Sequence, residues 1–292
     1  MIRPLHFVFN EETAVNNSFQ VRAGTSDLTL KAVQEFDAFV QALRNEGVDV
    51  TVVEDSPDPH TPDAIFPNNW ISFHESGVYC LYPMFAANRR KERKSEVLEI
   101  VKNKFHYRQL VDLTGYESKN LFLEGTGSMV LDREKMLAYA CLSPRTDMQV
   151  LDDFCKKMNY RPVAFHAVNE KGYPIYHTNV MMCVADQYVV ICLDSIADIS
   201  ERKSVEETIR SSGKEIITIS LEQMNQFAGN MLQLENNQKE KLLVMSSAAW
   251  SSLLPGQTAK LARYNRIVHA SLQNIETNGG GSARCMIAEI HM

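Results

Sequence analysis

The sequence lacks any apolar run that approaches the roughly 20 residues of a membrane-spanning helix. Its N-terminus, Met1-Ile-Arg-Pro, has no secretory pattern. The six cysteines include no Cys-x-x-Cys pair, and most of them lie inside apolar segments. We therefore expect reduced thiols in a cytoplasmic protein that does not contact a membrane.

The sequence also lacks an excess of positive charge. The chain has 30 Lys and Arg residues against 36 Asp and Glu residues, which gives a net charge of −6. Nucleic acid is therefore not an expected partner. The spacing of His, Cys and Asp shows no set of metal ligands, and Gly125-Thr-Gly-Ser is not followed by the Lys of a phosphate-binding loop. We expect no metal and no cofactor.

What the 292 residues do contain is an internal repeat. Five segments begin with a polar or small residue and continue as an alternating apolar strand, and the first four add a turn and a second strand. Their first residues lie 51 to 58 positions apart, which indicates radial or stacked repetition of one unit. The five segments begin at Asn69, Gly127, Asn179, Asn230 and Cys285.

Helical patterns and further short strands lie between these hairpins. Helices are predicted at residues 29–46, 91–105, 147–158, 200–212 and 258–268. Each is followed by a predicted strand, at residues 48–53, 107–113, 161–165, 215–219 and 269–275. The sequence therefore predicts an α/β fold in which a unit of β-hairpin, helix and strand is used about five times.

Two strands are left without a partner, at residues 5–9 and 285–290. Pairing them would close a ring and remove an exposed sheet edge. We therefore expect one catalytic domain over residues 1–292.

The first residues of the repeats would converge at one end of such a ring. In chain order this rim carries Asp63, Asn68, Asn69, Glu124, His177, Asn179, Asn230 and Cys285. A thiol, an imidazole and a carboxylate from three repeats form a nucleophilic set, in which Cys285 attacks, His177 moves protons and Glu124 orients or binds. Taken singly, a cysteine or histidine is more often structural.

The approach to Cys285 supports its role as the nucleophile. Three consecutive glycines, Gly279-Gly280-Gly281, let the backbone come close to a ligand. The neighbouring Arg284 favours the thiolate form.

The ordered motifs resemble those of the guanidine-modifying, or pentein, superfamily, which includes arginine deiminases, dimethylarginine dimethylaminohydrolases and amidinotransferases. The matching segments are Pro62-Asp-Ala-Ile-Phe-Pro-Asn-Asn, Leu123-Glu-Gly-Thr-Gly, Leu142-Ser-Pro-Arg-Thr, His177-Thr-Asn and Gly279-Gly-Gly-Ser-Ala-Arg-Cys-Met. The resemblance implies a five-bladed α/β propeller.

The resemblance also implies roles for individual residues. Cys285 resembles the covalent nucleophile, His177 the general acid and base, and Glu124 the catalytic carboxylate. Arg145 resembles the arginine that holds the α-carboxylate of the substrate, and Asp63 lies where relatives meet the α-ammonium. The expected substrate-binding set is Asp63, Asn68, Asn69, Arg145 and Asn179, and the expected partner is a small amino acid.

Two departures from the family pattern concern the substrate. Arginine-consuming relatives carry aspartate at the positions of Asn69 and Asn179. Two carboxylates suit a guanidinium, which only donates hydrogen bonds, whereas asparagine both donates and accepts and suits a neutral ureido group. The asparagines therefore favour the hydrolysis of citrulline to ornithine, carbon dioxide and ammonia, although they could instead shape the loops and leave Glu124 alone to meet a guanidinium.

Other functions stay open at this point. An arginine deiminase, a dimethylarginine hydrolase or an amidinotransferase would use the same nucleophile. A non-catalytic ring that binds a large partner is a further alternative, although such a module does not need a thiol and imidazole pair. A homodimer is compatible with the sequence.

Overall fold

The computed structural model describes residues 1–23 and 27–291, without the side chain of Ser76. Within these residues the strands form four three-stranded sheets and one two-stranded sheet. The strands are β1 (Ile2–Arg3), β2 (Val53–Glu54), β3 (Ile71–His74), β4 (Val78–Leu81), β5 (Gln109–Asp112), β6 (Val130–Asp132), β7 (Leu137–Cys141), β8 (Arg161–Phe165), β9 (Met182–Val184), β10 (Tyr188–Ile191), β11 (Glu215–Thr218), β12 (Leu232–Glu235), β13 (Lys241–Ser246) and β14 (Arg266–Ala270).

Each three-stranded sheet has the same topology. An antiparallel hairpin comes first, and a third strand then pairs in parallel with the second hairpin strand. A parallel connection needs a crossover, which helices supply here. The helices are α1 (Glu11–Ala14), α2 (Leu28–Asn45), α3 (Ser95–Phe105), α4 (Gly125–Ser128), α5 (Met148–Met158), α6 (Thr178–Met181), α7 (Ile199–Ser211), α8 (Leu221–Asn225), α9 (Ser247–Ser252), α10 (Pro255–Tyr264) and α11 (Gln273–Gly279).

Local sequence explains where the crossover helices begin. The Asp147 side chain accepts hydrogen bonds from the backbone N–H groups of Gln149 and Val150 and so caps α5, and Asp198 caps α7 in the same way. A cap of this kind stabilises a helix by about 1 kcal/mol. The repeated unit of hairpin, helix and strand is therefore present four times.

Short turns precede the hairpins and bring the repeats together. The 3-10 turn Pro67–Asn69 contacts α4, and α4 contacts α6. Further along the chain, β9 contacts β12, and β13 contacts a second 3-10 turn, Ala283–Met286. This last turn contacts Pro67–Asn69, so the contacts between repeats run round a circle.

Several predicted strands are not formed. Residues 5–9 and 285–290 form no strand, so the prediction that these ends pair is wrong. The short strands β1 and β2 pair in parallel instead, and the predicted strand at residues 48–53 shrinks to β2. The two chain ends still meet, because Phe7 and Ile287 are buried in one apolar cluster.

The prediction at residues 258–275 is displaced along the chain. Helix α10 ends at Tyr264, the strand β14 covers Arg266–Ala270, and α11 begins at Gln273, so the last three residues predicted as strand are helical.

Apolar packing on both faces holds the repeats in place. All four residues of β10 and all five of β7 are buried, as expected of strands covered by helices on one side and by neighbouring repeats on the other. None of the helices in the described residues combines the length and apolarity needed to cross a membrane.

Candidate active site

The turns that precede the hairpins surround one buried cavity. Five of the eight predicted site residues line it: Asp63, Asn69, Arg145, His177 and Cys285. The other three lie directly behind this lining. Glu124 contacts His177, Asn68 contacts Asn69, and Asn179 contacts Cys285. The structure therefore brings all eight together.

His177 and Glu124 form a buried pair. The Nε2 atom of His177 lies 2.7 Å from Oε2 of Glu124, and Oε1 of Glu124 accepts the backbone N–H of Phe85 at 2.9 Å. Burial acts to raise the pKa of Glu124, but the charge of Arg145 and the bond to His177 outweigh it and lower that pKa. Burial lowers the pKa of His177 below its usual value, against the opposing effect of Glu124.

This pairing sets the tautomer of the imidazole. An ionised carboxylate only accepts, so Nε2 of His177 carries the proton that Glu124 receives. The other ring nitrogen, Nδ1, is then free to accept a proton. A neutral histidine with one free lone pair can act as a general base.

Cys285 is buried, and its sulfur contacts two amide groups. Nδ2 of Asn179 lies 3.4 Å from Sγ, and Nδ2 of Asn230 lies 3.3 Å from it. The guanidinium of Arg284, predicted to favour the thiolate, is instead bound to Oε2 of Glu289 at 2.7 Å and to the carbonyl of Ile287. Burial raises the pKa of all five other cysteines.

Arg145 is buried rather than exposed on the surface. Its Nε donates to Oδ1 of Asn16 at 2.7 Å and its Nη2 to the carbonyl of Thr13 at 2.6 Å. Nη1 lies 3.5 Å from Oε2 of Glu124, and the guanidinium stacks over Tyr176.

Asp63 has one satisfied and one free carboxylate oxygen. Oδ2 accepts hydrogen bonds from Asn10 at 2.7 Å and from Thr13 at 3.3 Å. Oδ1 is buried and has no partner among the described residues. Burial raises the pKa of Asp63, and the charge of Arg89 opposes this only in part. A free buried acceptor of this kind fits an incoming ammonium group.

Sequence reasoning missed Arg89. Its guanidinium makes a two-pronged ion pair with Glu92, at 2.8 and 2.9 Å, and donates to Oδ1 of Asn69 at 2.7 Å. Asn69 therefore has its oxygen occupied, and its Nδ2 donates to Oδ1 of Asn68. In the sequence Arg89 belongs to a charged stretch that looks solvated, and the spacing of three to Glu92 is the one signal that could have pointed to it.

The cavity is narrow. Its volume is about 10 Å³, close to what one water needs. Residues 10–17, which we name the cover segment, lie across it through Asn10 on Asp63, Thr13 and Asn16 on Arg145, and Asn17 on the carbonyl of Gly280. In the part of the chain that the structure describes, no group of three His, Cys, Asp or Glu side chains could hold a metal ion.

Solved structures share this fold. ArgZ, an arginine dihydrolase from the ornithine-ammonia cycle in cyanobacteria, matches 98% of this chain at 18% identity with a TM-score of 0.77, and this chain covers 39% of the full-length ArgZ chain. The N-terminal domain of ArgZ bound to product is covered to 94%, at 18% identity over 98% of this chain and a TM-score of 0.75. A dimethylarginine dimethylaminohydrolase captured as an adduct with S-methyl-L-thiocitrulline is 14% identical, with coverage of 98% and 96% and a TM-score of 0.62.

No curated protein sequence matches the chain. A family model does: the model described as "N,N dimethylarginine dimethylhydrolase, eukaryotic" matches residues 3–292. Because this match spans nearly the whole chain, the protein belongs to the eukaryotic N,N dimethylarginine dimethylhydrolase family of the guanidine-modifying pentein superfamily.

Proposed function

We propose that the protein is a cysteine hydrolase that acts on the ureido or guanidino carbon of an arginine-like amino acid, and that citrulline is its preferred substrate. The preference rests on one observation: the buried side chains of Asn68 and Asn179 leave one donor and one acceptor without a partner among the described residues. Among the described residues, Nδ2 of Asn68 has no acceptor and Oδ1 of Asn179 has no donor, and both side chains lie directly behind the cavity lining. A ureido group needs both, whereas a guanidinium only donates.

Asn69 adds to this preference. Arg89 occupies its oxygen and Asn68 accepts one N–H of its amide group, so the hydrogen-bonding capacity that Asn69 has left is a second N–H donor. A donor stabilises a carbonyl oxygen and the negative charge that forms on it during attack. It would repel the N–H groups of a guanidinium.

The proposed mechanism has two steps. Cys285 attacks the ureido carbon, its thiol proton passes to the neutral His177, and the resulting imidazolium protonates the departing amine of ornithine. His177 then takes a proton from water as the water attacks the S-carbamoyl enzyme. The carbon–sulfur bond breaks, and the carbamate that is released decomposes to carbon dioxide and ammonia. In both steps Glu124 would accept the Nε2 proton of His177, which leaves Nδ1 as the nitrogen that takes up and releases the proton.

The binding of the amino acid end is part of the proposal. The free Oδ1 of Asp63 would accept the α-ammonium, and Arg145 would hold the α-carboxylate. We also propose that residues 1–292 form one catalytic domain, and that the circle of repeats is a five-bladed propeller in which the two chain ends supply the incomplete fifth blade.

A second candidate is an arginine dihydrolase, which would hydrolyse arginine through a ureido intermediate. Glu124 favours it, because this carboxylate stays ionised beside the cavity and could meet a guanidinium. ArgZ, with the same fold, carries that activity by name.

Incubation with citrulline, arginine and dimethylarginine in separate reactions distinguishes these candidates. Ornithine, citrulline and ammonia are measured in each. We expect citrulline to be consumed fastest, with ornithine and ammonia as products, and we expect no turnover by Cys285→Ser. The matched variant Cys192→Ser changes a buried cysteine away from the cavity and should stay active. Faster loss of arginine or dimethylarginine would overturn the preference, and inertness toward all three would overturn the enzyme assignment.

The double variant Asn69→Asp/Asn179→Asp tests the amide argument directly. Two added carboxylates would face the ureido oxygen, so kcat/KM for citrulline should fall by about 2–4 kcal/mol of transition-state stabilisation, or roughly 30- to 1,000-fold. Asn236→Asp, a buried asparagine on the β12–β13 turn, is the control and should leave kcat/KM unchanged. Unchanged citrulline kinetics in the double variant would show that the asparagines only shape the loops.

A further inference from the structure

Asn230 contacts the proposed nucleophile from a repeat that otherwise supplies nothing to the site. Its side chain is fully buried, and Nδ2 lies 3.3 Å from Sγ of Cys285. Asn179 reaches the same sulfur from the preceding repeat at 3.4 Å. The sulfur therefore receives two amide donors from two neighbouring repeats.

Surrounding bonds fix the orientation of the Asn230 amide. Its Oδ1 accepts the backbone N–H of Arg284 at 3.0 Å, and its Nδ2 donates to the carbonyl of Asn179 at 2.9 Å. A flipped amide would place an oxygen against the Asn179 carbonyl and an N–H group against the Arg284 N–H. The nitrogen is therefore the Asn230 atom nearer to Sγ, at 3.3 Å, and Oδ1 lies farther away, at 3.8 Å.

The charged groups near the sulfur are engaged elsewhere. The guanidinium of Arg284 is held by Glu289, that of Arg89 by Glu92, and that of Arg145 by Glu124. Of the other titratable groups that line the cavity, Asp63 accepts hydrogen bonds from Asn10 and Thr13, and the Tyr176 hydroxyl donates to the carbonyl of Gly280. Nε2 of His177 bonds Glu124, and burial lowers the pKa of His177, so the imidazole is neutral before the reaction begins. The amide groups of Asn179 and Asn230 are the donors that the sulfur contacts in the described residues.

We propose that Asn230 is a catalytic residue, whose amide group acts with that of Asn179 to stabilise negative charge on the Cys285 sulfur. A thiolate is a much stronger acceptor than a thiol, so hydrogen bonds to it are charge-assisted. The proton leaves to solvent in the free enzyme and to His177 during turnover. When the carbon–sulfur bond of the intermediate breaks, its electron pair returns to the sulfur and the same two donors receive it. The inference rests on the proposed function only in taking Cys285 as the nucleophile.

The test is the pH dependence of alkylation of Cys285 by iodoacetamide without substrate, followed by mass spectrometry of the peptide that contains it. Loss of one charge-assisted donor in Asn230→Ala should raise the midpoint by about one pH unit, which is about tenfold less thiolate at neutral pH. Asn230→Asp keeps an acceptor for the Arg284 N–H but adds a like charge, so the midpoint should rise further. Asn265→Ala removes a buried asparagine that bonds Tyr188 instead, and should not move the midpoint.

An unchanged midpoint in Asn230→Ala and Asn230→Asp, with circular dichroism spectra like that of the wild type, would overturn the proposal. If Asn230→Ala does not fold, the isosteric Asn230→Asp decides alone. The measurement uses no substrate, so it is separate from the proposed function. If the wild-type protein is inert toward ureido and guanidino compounds, the proposed function is wrong. The shift of the alkylation midpoint in the Asn230 variants can still be measured in that case.

Discussion

Arg145 is engaged by the protein before any substrate arrives. Its guanidinium meets the Thr13 carbonyl, the Asn16 amide oxygen and the Glu124 carboxylate, so its donors point at acceptors of the chain itself. To bind Arg145, a substrate carboxylate would have to replace the Thr13 and Asn16 oxygens of the cover segment as acceptors for Nη2 and Nε. Arg145 would then link substrate binding to the placement of Glu124.

Arg145→Ala should raise KM for citrulline by roughly 30-fold or more, which corresponds to about 2 kcal/mol for a charge-assisted pair. The informative measurement uses decarboxylated citrulline, which lacks the group that Arg145 is proposed to hold. Wild type and variant should differ far less on this analogue than on citrulline. The exposed Arg161→Ala is the control. An equal penalty on both substrates would assign Arg145 to orienting Glu124 alone.

At the level of single residues, the sequence predicted the members of the site better than their partners. Cys285, His177 and Glu124 stand at equivalent places in the repeats, so their grouping followed from the repeat. Arg89 could not be found this way, because its burial depends on Glu92 and on the oxygen of Asn69, which a charged stretch does not reveal. The catalytic roles themselves remain predictions.

The short helix α4 brings two repeats into close approach. A Cβ atom at Gly127 would lie 2.5 Å from Nδ2 of Asn69 and 2.7 Å from Nδ1 of His177. Both distances are far below van der Waals contact. The absence of a side chain at Gly127 therefore lets the imidazole and the amide lie side by side.

Gly127→Ala should reduce kcat/KM by about 100-fold, because displacement of reacting groups by about 1 Å has this effect. Gly115→Ala is the matched control, since a Cβ there meets nothing within 4 Å. Circular dichroism and the thermal midpoint report whether the fold survives. Full activity of Gly127→Ala would show that His177 and Asn69 need not hold these positions.

The sequence predicted hairpins more accurately than it predicted the elements at the chain ends. The hairpin strands are short apolar runs that pair across local turns, so the apolar pattern and the turn are enough to predict them. Helix α11 was not predicted because the hydrogen bonds to the N–H groups of its first turn come from a residue distant in the sequence. The Glu35 carboxylate of α2 accepts the backbone N–H groups of Asn274 and Ile275. Residues 5–9 alternate like a strand, yet within the described residues they pair with no second strand.

For the whole molecule, Glu276 should make stability depend on pH. Burial raises its folded-state pKa to about 7, against hydrogen bonds from Ser246 and Ser282. An unfolded glutamate titrates near 4.5. Its contribution is therefore fully present below about pH 4.5 and is lost as pH rises through 7, by about 3 kcal/mol.

Urea unfolding of the wild type and Glu276→Gln at several pH values isolates this effect. Other groups titrate in both proteins, so the difference between the two curves is the quantity to compare. The advantage of the variant should grow between pH 4.5 and 7 and level off above. A difference that does not change with pH would mean that Glu276 ionises normally in the folded protein.

The small size of the cavity affects the dissociation constant that an equilibrium binding measurement would give. A space that holds one water cannot admit an amino acid, so we expect binding to require that the cover segment move away. The apparent dissociation constant is then the intrinsic one divided by the fraction of open molecules. Substitutions that remove the hydrogen bond from Asn10 to Asp63 or from Asn17 to the Gly280 carbonyl would lower the apparent dissociation constant without adding any contact to the ligand.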